Sequence, residues 1–226
     1  MRRRLRALLR RAIKYSLIFA ACLCLWVVAY RWINPPVTVL IVSEWVRLGD
    51  VEREWRRLED ISPHLARAAM GAEDARFCEH IGFDFVEIRK AMAEEDRRRG
   101  ASTISQQVAK NVFLWPDSSW LRKGLEAGFT VLIELSWPKA RIMEVYLNVA
   151  EMGEGVFGAE AASRHWFGKP AADLSLAEAS RIAAILPNPK ARSASRPSSF
   201  VAGRARAAAS GAETLRADGR ADCVAL

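Results

Sequence analysis

Two carboxylates, a histidine and a glycine turn stand together in EDARFCEHIGFD, Glu73–Asp84. Further on, ASTISQQVAKN (Ala101–Asn111) opens with hydroxyl and amide side chains and ends with a lysine, Lys110. RKGLE (Arg122–Glu126) then adds two cations and another carboxylate. The first set can deprotonate an alcohol, and the other two can hold a polyanion. A general base works best with a pKa moved towards the working pH, and partial burial of Glu73 against Phe77 would raise it. Asp74 and His80 either form the shell around that base or simply brace the turn through Gly82. In the second motif, Ser102 and Thr103 with free backbone N–H groups at a helix start make a natural anion site. Lys110 falls on the same side as Thr103 and Gln107, two turns and one turn on. Within RKGLE, Arg122 lies about 40° to one side of Glu126 and Lys123 about 60° to the other. An ordinary ion pair on a solvated face would use the same triplet, in the weaker basic-before-acidic order worth tenths of a kcal/mol.

The elements that must carry these residues are mostly helical. Ser62-Pro63 opens a helix running towards Glu73. Asp84 caps another that ends at Gly100, and Ser102 caps a third carrying Gln106, Gln107 and Lys110. Ser118 or Ser119 starts a longer helix whose apolar stripe is Leu121, Leu125, Phe129, Leu132 and Ile133, and Pro138 opens the next. A helix over Val156–Phe167 ends at Gly168, a suitable left-handed cap. Ser175 to Glu178 is a capping box, and Pro187 stops the helix it begins. VTVLIV (Val37–Val42) reads as the one short strand. From Ser193 an Ala, Arg and Ser-rich tail holds at most one more helix and then frays.

The formal charge of +8 is concentrated at the N-terminus, where residues 1–14 carry seven basic side chains and no acid. About +1 remains for the rest, which gives no basis for nucleic-acid binding. The uncharged run from Tyr15 to Tyr30 spans ~24 Å of a ~30 Å hydrocarbon core, and snorkelling Lys14 and Arg31 complete it. No small-x-small cleavage site follows in a polar segment, so we read a single-pass anchor rather than a cleaved leader. The arginines place its N-terminus in the cytoplasm and everything after Arg31 outside. The expected layout is a basic segment over 1–14, an anchor over 15–33, a juxtamembrane linker over 34–60, a catalytic domain over 61–200 and a helix with flexible tail over 201–226. Cys78 and Cys223, far apart, read as a buried free thiol and a loose tail residue. The scattered His64, His80 and His165 offer no zinc spacing. VFLWPDSSWL (Val112–Leu121) either dips into a bilayer or packs Phe113 and Trp115 into a local core; Trp45 and Trp55 are equally open.

Taken in order, EDARFCEHIGFD, GASTISQQVAKN, RKGLEAGFTVLIE and KARIMEVYLN resemble the signatures of the peptidoglycan glycosyltransferases, glycosyltransferase family 51. GVFGAEAASRHWFGKP and AILPNP are similar to its monofunctional, membrane-anchored branch. The resemblance covers residues 35–197. It implies a mostly α, lysozyme-like domain behind one transmembrane helix, polymerising lipid II in the periplasm at the outer face of the inner membrane. By that resemblance Glu73 is the base for the 4-hydroxyl of the incoming sugar. Glu126 is a second essential carboxylate, organising the pyrophosphate and a divalent ion, Mg or Mn. Thr103, Gln107, Lys110, Arg122 and Lys123 line the donor and acceptor sites, and Asp74, Phe77 and His80 surround the base. No organic cofactor is implied. The implied partners are lipid II, the growing strand, the membrane and other cell-wall synthesis and division proteins. Ser105 stands where the pattern has threonine and Gly128 where a larger residue is common; both predict altered packing, not lost chemistry. The 226 residues leave no room for a transpeptidase domain beside this one, so a polymerase without cross-linking activity is expected. A lysozyme-like glycan-cleaving enzyme would have no need of the RKGLE cations, and a catalytically silent scaffold no need of the carboxylates.

Overall fold

The computed structural model describes residues 2–93 and 102–224. Helix α1 (Arg2–Ala29) contains, from Arg6 to Ala29, the one helix among the described residues long and apolar enough to cross a membrane. Its end is fastened to the domain. The Trp137 indole donates to the Val27 carbonyl at 2.8 Å, Arg31 donates to the Ser136 carbonyl at 2.7 Å, and Trp26 packs edge-on to Phe113.

The segment read as a strand is a helix, α2 (Val39–Leu48), and the expectation for Val37–Val42 is corrected. Thr38 caps it, accepting from the Ile41 N–H, and Gly49 closes it at φ 85°. A run of β-branched residues with a cap in front and a left-handed glycine behind is a helix once one of its faces finds the domain. Trp45 stays exposed, whereas the Arg53 and Arg141 guanidinium groups both stand over the Trp55 ring.

Helix α3 (Pro63–Glu73) starts as expected, but the Ser62 hydroxyl donates to the Leu174 carbonyl instead of capping. Asp84 accepts from the Val86 and Glu87 N–H groups and caps α4 (Phe85–Ala93). The expected end of that helix at Gly100 lies outside the described residues. Helix α5 (Ile104–Phe113) is capped by Thr103, not Ser102, in a reciprocal capping box with Gln106. Ser119 caps α6 (Trp120–Ser136), and α7 (Lys139–Val149) follows Pro138. The strands β1 (Glu52–Arg53), β2 (Glu151–Gly153) and β3 (Val156–Phe157) form a small sheet in the order β1-β3-β2, with β1 parallel to β3 and β2 antiparallel. Val156 and Phe157 therefore belong to a strand. Helix α8 begins only at Ala159 and ends at Phe167, before Gly168 at φ 69°. Helix α9 (Leu176–Ile185) carries the expected capping box from Ser175 and Glu178.

The Ala-rich tail holds the expected further helix and, up to Val224, the last residue described, stays packed on the domain. Helix α10 (Ser199–Ala217) buries Val201, Ala205, Ala208, Ala212 and Leu215 at three- and four-residue spacing, packing on α3 and α9. Small side chains on this stripe let the backbones meet. A Cβ placed on Gly71 would sit 3.1 Å from backbone atoms of Gly211 and Ala212. Gly71→Val is therefore expected to cost about 1–3 kcal/mol by overpacking. A urea titration checks this: an unchanged midpoint would contradict the close approach.

Beyond α10 a short 3₁₀ turn (Asp222–Val224) brings Cys223 to Cys78, and the two form a disulfide across 145 residues with a Cα separation of 5.7 Å. This corrects both the free thiol and the loose tail residue. No spacing signals a pair that only the return path of α10 brings together.

Candidate active site

Glu73 is the last residue of α3, and its Oε2 accepts a hydrogen bond from the Gln107 amide at 2.9 Å. Burial is the main influence on its carboxyl and raises the pKa above 4.5; the Gln107 bond and the cations Arg204 and Lys110 pull the other way. Next along the chain, Asp74 is almost wholly enclosed. Its Oδ1 lies 2.8 Å from His80 Nε2, and its Oδ2 accepts from the Ile104 N–H at 2.9 Å. The anion at the N-terminus of α5 is thus the protein's own Asp74. The sequence-level anion site there is already filled. Thr103 is committed in the same way: its hydroxyl donates to the Gly82 carbonyl at 2.7 Å and accepts from the Gln106 N–H.

Phe77 is fully buried and meets the His80 ring edge-on, while the Lys139 ammonium stands 4.4 Å from the Phe77 ring centre. Lys139 also donates to the His80 carbonyl and pairs with Glu134, each at 2.8 Å, and Ser105 donates to the same Glu134 carboxylate. Ser105 thus keeps a hydroxyl role, and a Cβ at Gly128 would meet nothing within 4 Å. Sequence reasoning missed this Glu134–Lys139 brace, because neither residue stands out from an ordinary charged helix end.

One turn beyond Gln107, Lys110 enters the second cluster. Burial lowers its pKa, opposed by Glu126 and reinforced by Arg122 and Lys123. Arg122 pairs with Glu126 at 3.1 Å, and Lys123 donates to the other Glu126 oxygen. Arg122 and Glu126 are buried, whereas Leu121 and Leu125 of the expected apolar stripe are 70% and 39% exposed. Only Phe129 and Ile133 of that stripe are buried, with Leu132 at its edge. The buried face of α6 is turned from that stripe: Arg122 and Glu126 share it with Phe129 and Ile133, seven residues on, Arg122 lines a cavity, and Leu121 and Leu125 lie to the outer side.

That cavity, about 430 Å³, is lined by Gln107, Lys110, Asn111, Arg122, Tyr146 and Glu151 among others. Its cations suit a pyrophosphate. They do not suit direct ligation of a divalent ion by Glu126, both of whose oxygens are taken by Arg122 and Lys123. Asp74, His80 and Asp84 do place one donor atom each within 4.8 Å of one another. Both Asp74 oxygens, however, already serve His80 and the start of α5, and one Asp84 oxygen caps α4.

The transglycosylase family model matches residues 41–212. The chain belongs to the transglycosylase family. It is accordingly an enzyme, a glycosyltransferase. A protein of Jannaschia sp. (strain CCS1) is 54% identical over 91% of this chain and 85% of its own length. One of Rhodospirillum centenum is 49% identical over 96% of both chains, and one of Pseudomonas aeruginosa 51% over 89% of this chain and 90% of its own. Each relative is called a biosynthetic peptidoglycan transglycosylase. The family match spans α3, α5 and α6 entirely, so every site residue named from the sequence falls within it.

Within this transglycosylase fold Glu73, Asp74, Phe77, His80, Thr103 and Gln107 gather at one end of the site, and Lys110, Arg122, Lys123 and Glu126 at the other. Helix α5 joins them, with Gln107 touching Glu73 and Lys110 the cavity. Sequence reasoning missed Asn111, Tyr146 and Glu151, although the first two lie inside motifs already singled out. Arg204 carried no signal at all within an Ala/Arg-rich tail.

Proposed function

We propose that this enzyme polymerises lipid II into uncross-linked peptidoglycan strands and releases undecaprenyl pyrophosphate. The observation that carries the reading is the pairing on α5: one helix face holds the Glu73 carboxylate through Gln107 and presents Lys110 to a cationic cavity one turn later. The 4-hydroxyl of the incoming sugar gives its proton to Glu73 as its oxygen bonds to C1 of the lipid-linked sugar. The C1–O bond to pyrophosphate breaks, and its electron pair leaves on the phosphate. An α-linked donor then gives a β-linked strand, an inversion that needs the base on the face opposite the leaving group. Charge growing on the pyrophosphate meets Lys110 and Arg122, fixed in place before reaction. Its arrival also favours the charged form of Lys110. A divalent ion, Mg²⁺ or Mn²⁺, enters in this reading only as the pyrophosphate's counter-ion.

Several features support a reaction at a membrane surface. Helix α1 ends against α6, and Trp120, Leu121 and Leu135 leave an apolar outer face on α6 beside it. Placed in the outer leaflet of the cytoplasmic membrane, that face and the anchor hold the cavity beside the lipid tails of the substrate. The arginine-rich N-terminus favours a cytoplasmic start, leaving the catalytic domain in the periplasm. The Cys78–Cys223 bond fits an oxidising compartment.

Detergent-solubilised protein with labelled lipid II and Mg²⁺, with and without moenomycin, tests the reading. A moenomycin-sensitive ladder of uncross-linked glycan is expected. Soluble muropeptides released from purified sacculi would point to glycan cleavage instead. A folded protein that binds lipid II without extending it would point to a scaffold.

A further inference from the structure

Glu134 and Lys139 each stand at the unfavourable end of a helix. Glu134 lies in the last turn of α6, and Lys139 is the first residue of α7. A helix is partially negative at its C-terminus and partially positive at its N-terminus, so both side chains oppose the dipole of the helix that bears them. Both are also withdrawn from water: 4% of the Glu134 side chain and 17% of the Lys139 side chain are exposed. Charges set against local preference and out of solvent are held there by tertiary partners.

Those partners close a ring. Lys139 Nζ donates to Glu134 Oε1 and to the His80 carbonyl, each at 2.8 Å. The His80 ring meets Asp74 Oδ1 at 2.8 Å, and Asp74 Oδ2 accepts from the Ile104 N–H at 2.9 Å. Ser105, the next residue and fully buried, donates to the same Glu134 oxygen that Lys139 holds. The ring ties together the end of α6, the start of α7, the turn after Glu73 and the first turn of α5. A pair that only braced the corner between α6 and α7 would need neither the His80 carbonyl nor Ser105. Glu73 is joined to the ring on two sides, by the chain to Asp74 and through Gln107 of α5, two residues past Ser105.

We propose that Glu134 and Lys139 are positioning residues for glycosyl transfer: their ring fixes the first turn of α5 against the turn after Glu73, and so holds the Glu73 carboxylate in place for the incoming hydroxyl. The inference rests on the reading of Glu73 as the base. The other end of the site is held separately. Lys110 lines the cavity there, and Arg122 and Glu126 pair with each other, Glu126 lying about 12 Å along α6 from Glu134. Opening the ring therefore displaces the base and leaves the cationic cluster assembled. A displacement of about 1 Å at a reacting group can cost on the order of 10²-fold in rate.

The test uses the full-length protein carrying Glu134→Gln together with Lys139→Met. Removing both charges at once strands neither of them in the interior. The glutamine oxygen can still accept from Ser105, whereas methionine cannot donate to the His80 carbonyl, so the ring is cut at Lys139. Lipid II polymerisation, measured per folded molecule, should show kcat lower by about 10–10²-fold and KM within about twofold of the natural value. Ser105→Ala cuts the ring at another link and should give the same split; it decides alone if the double variant does not fold. An unchanged kcat in folded protein overturns the inference, as does a change in KM larger than the change in kcat. Failure of both variants to fold would make the ring a matter of stability and overturn it too. Glu73→Gln decides the base reading independently. If it stays active the premise is gone, whereas an inactive Glu73→Gln beside a fully active ring variant sinks the ring alone.

Discussion

Glu73→Gln should lower the polymerisation rate by about 10²–10⁴-fold, the contribution of a well-placed general base. The substitution changes little else. The side chain keeps its length, and its amide oxygen can still accept the Gln107 hydrogen bond that now reaches Oε2. What is lost is the capacity to take a proton from the incoming hydroxyl. Thermal unfolding should therefore be nearly unchanged while turnover collapses. The pH profile adds a second signature. Burial raises the Glu73 pKa above 4.5, so the natural enzyme should lose activity as pH falls through that raised value, where the carboxylate becomes an acid. The residual rate of Glu73→Gln should lack this acid limb. Full activity in a folded Glu73→Gln protein would remove Glu73 from the base role and return Asp74 to consideration.

Breaking the disulfide should have the largest effect on stability. Cys78 and Cys223 close a loop of 145 residues, so the bond removes much of the freedom of the unfolded chain. Cys78→Ser with Cys223→Ser should cost about 2–5 kcal/mol. For a chain of this length that is a fall of roughly 4–20 °C in Tm, and a thiol reductant should produce the same fall in the natural protein. A local effect accompanies it. Cys78 lies between Asp74 and His80, whose contact at 2.8 Å orders the turn after Glu73. Unlatching the tail should therefore lower turnover before the protein unfolds. Identical melting curves for the double variant and the natural protein, with and without reductant, would refute the stabilising role.

What could be read from the residues was local. Asp84 and Ser119 were recognisable as caps because a short polar side chain before a helical run accepts from the N–H groups two or three residues on. The capping box at Ser175 and the left-handed glycine at Gly168 follow from equally short-range geometry. Glu73, Gln107, Lys110, Arg122 and Glu126 were legible as chemistry because their motifs hold several functional groups within a turn or two. Where reading failed, a distant partner decided. VTVLIV has strand-like composition, but from Val39 on it packs against α5 as the first turn of α2. Thr103 displaced Ser102 as the cap because the Gly82 carbonyl and the Gln106 side chain both meet it.

The long helix α6 shows the division most sharply. Periodicity identified its stripe of leucines correctly but could not say which side faced the domain. In a water-soluble helix apolar residues turn inward. Here the inward side holds Arg122, which lines a cavity, and its partner Glu126 beside Phe129 and Ile133, and Leu121 points out. By itself the sequence determined the helical class, the apolar N-terminal helix and the identities of the reactive groups, because these depend on residue type and spacing within a few turns. Only the tertiary structure decided that Asp74 fills the start of α5, that Cys78 meets Cys223 and that Gly71 meets Gly211. Those are encounters between segments 30 to 145 residues apart, set by how small side chains let α10 settle against α3 and not by any pattern along the chain.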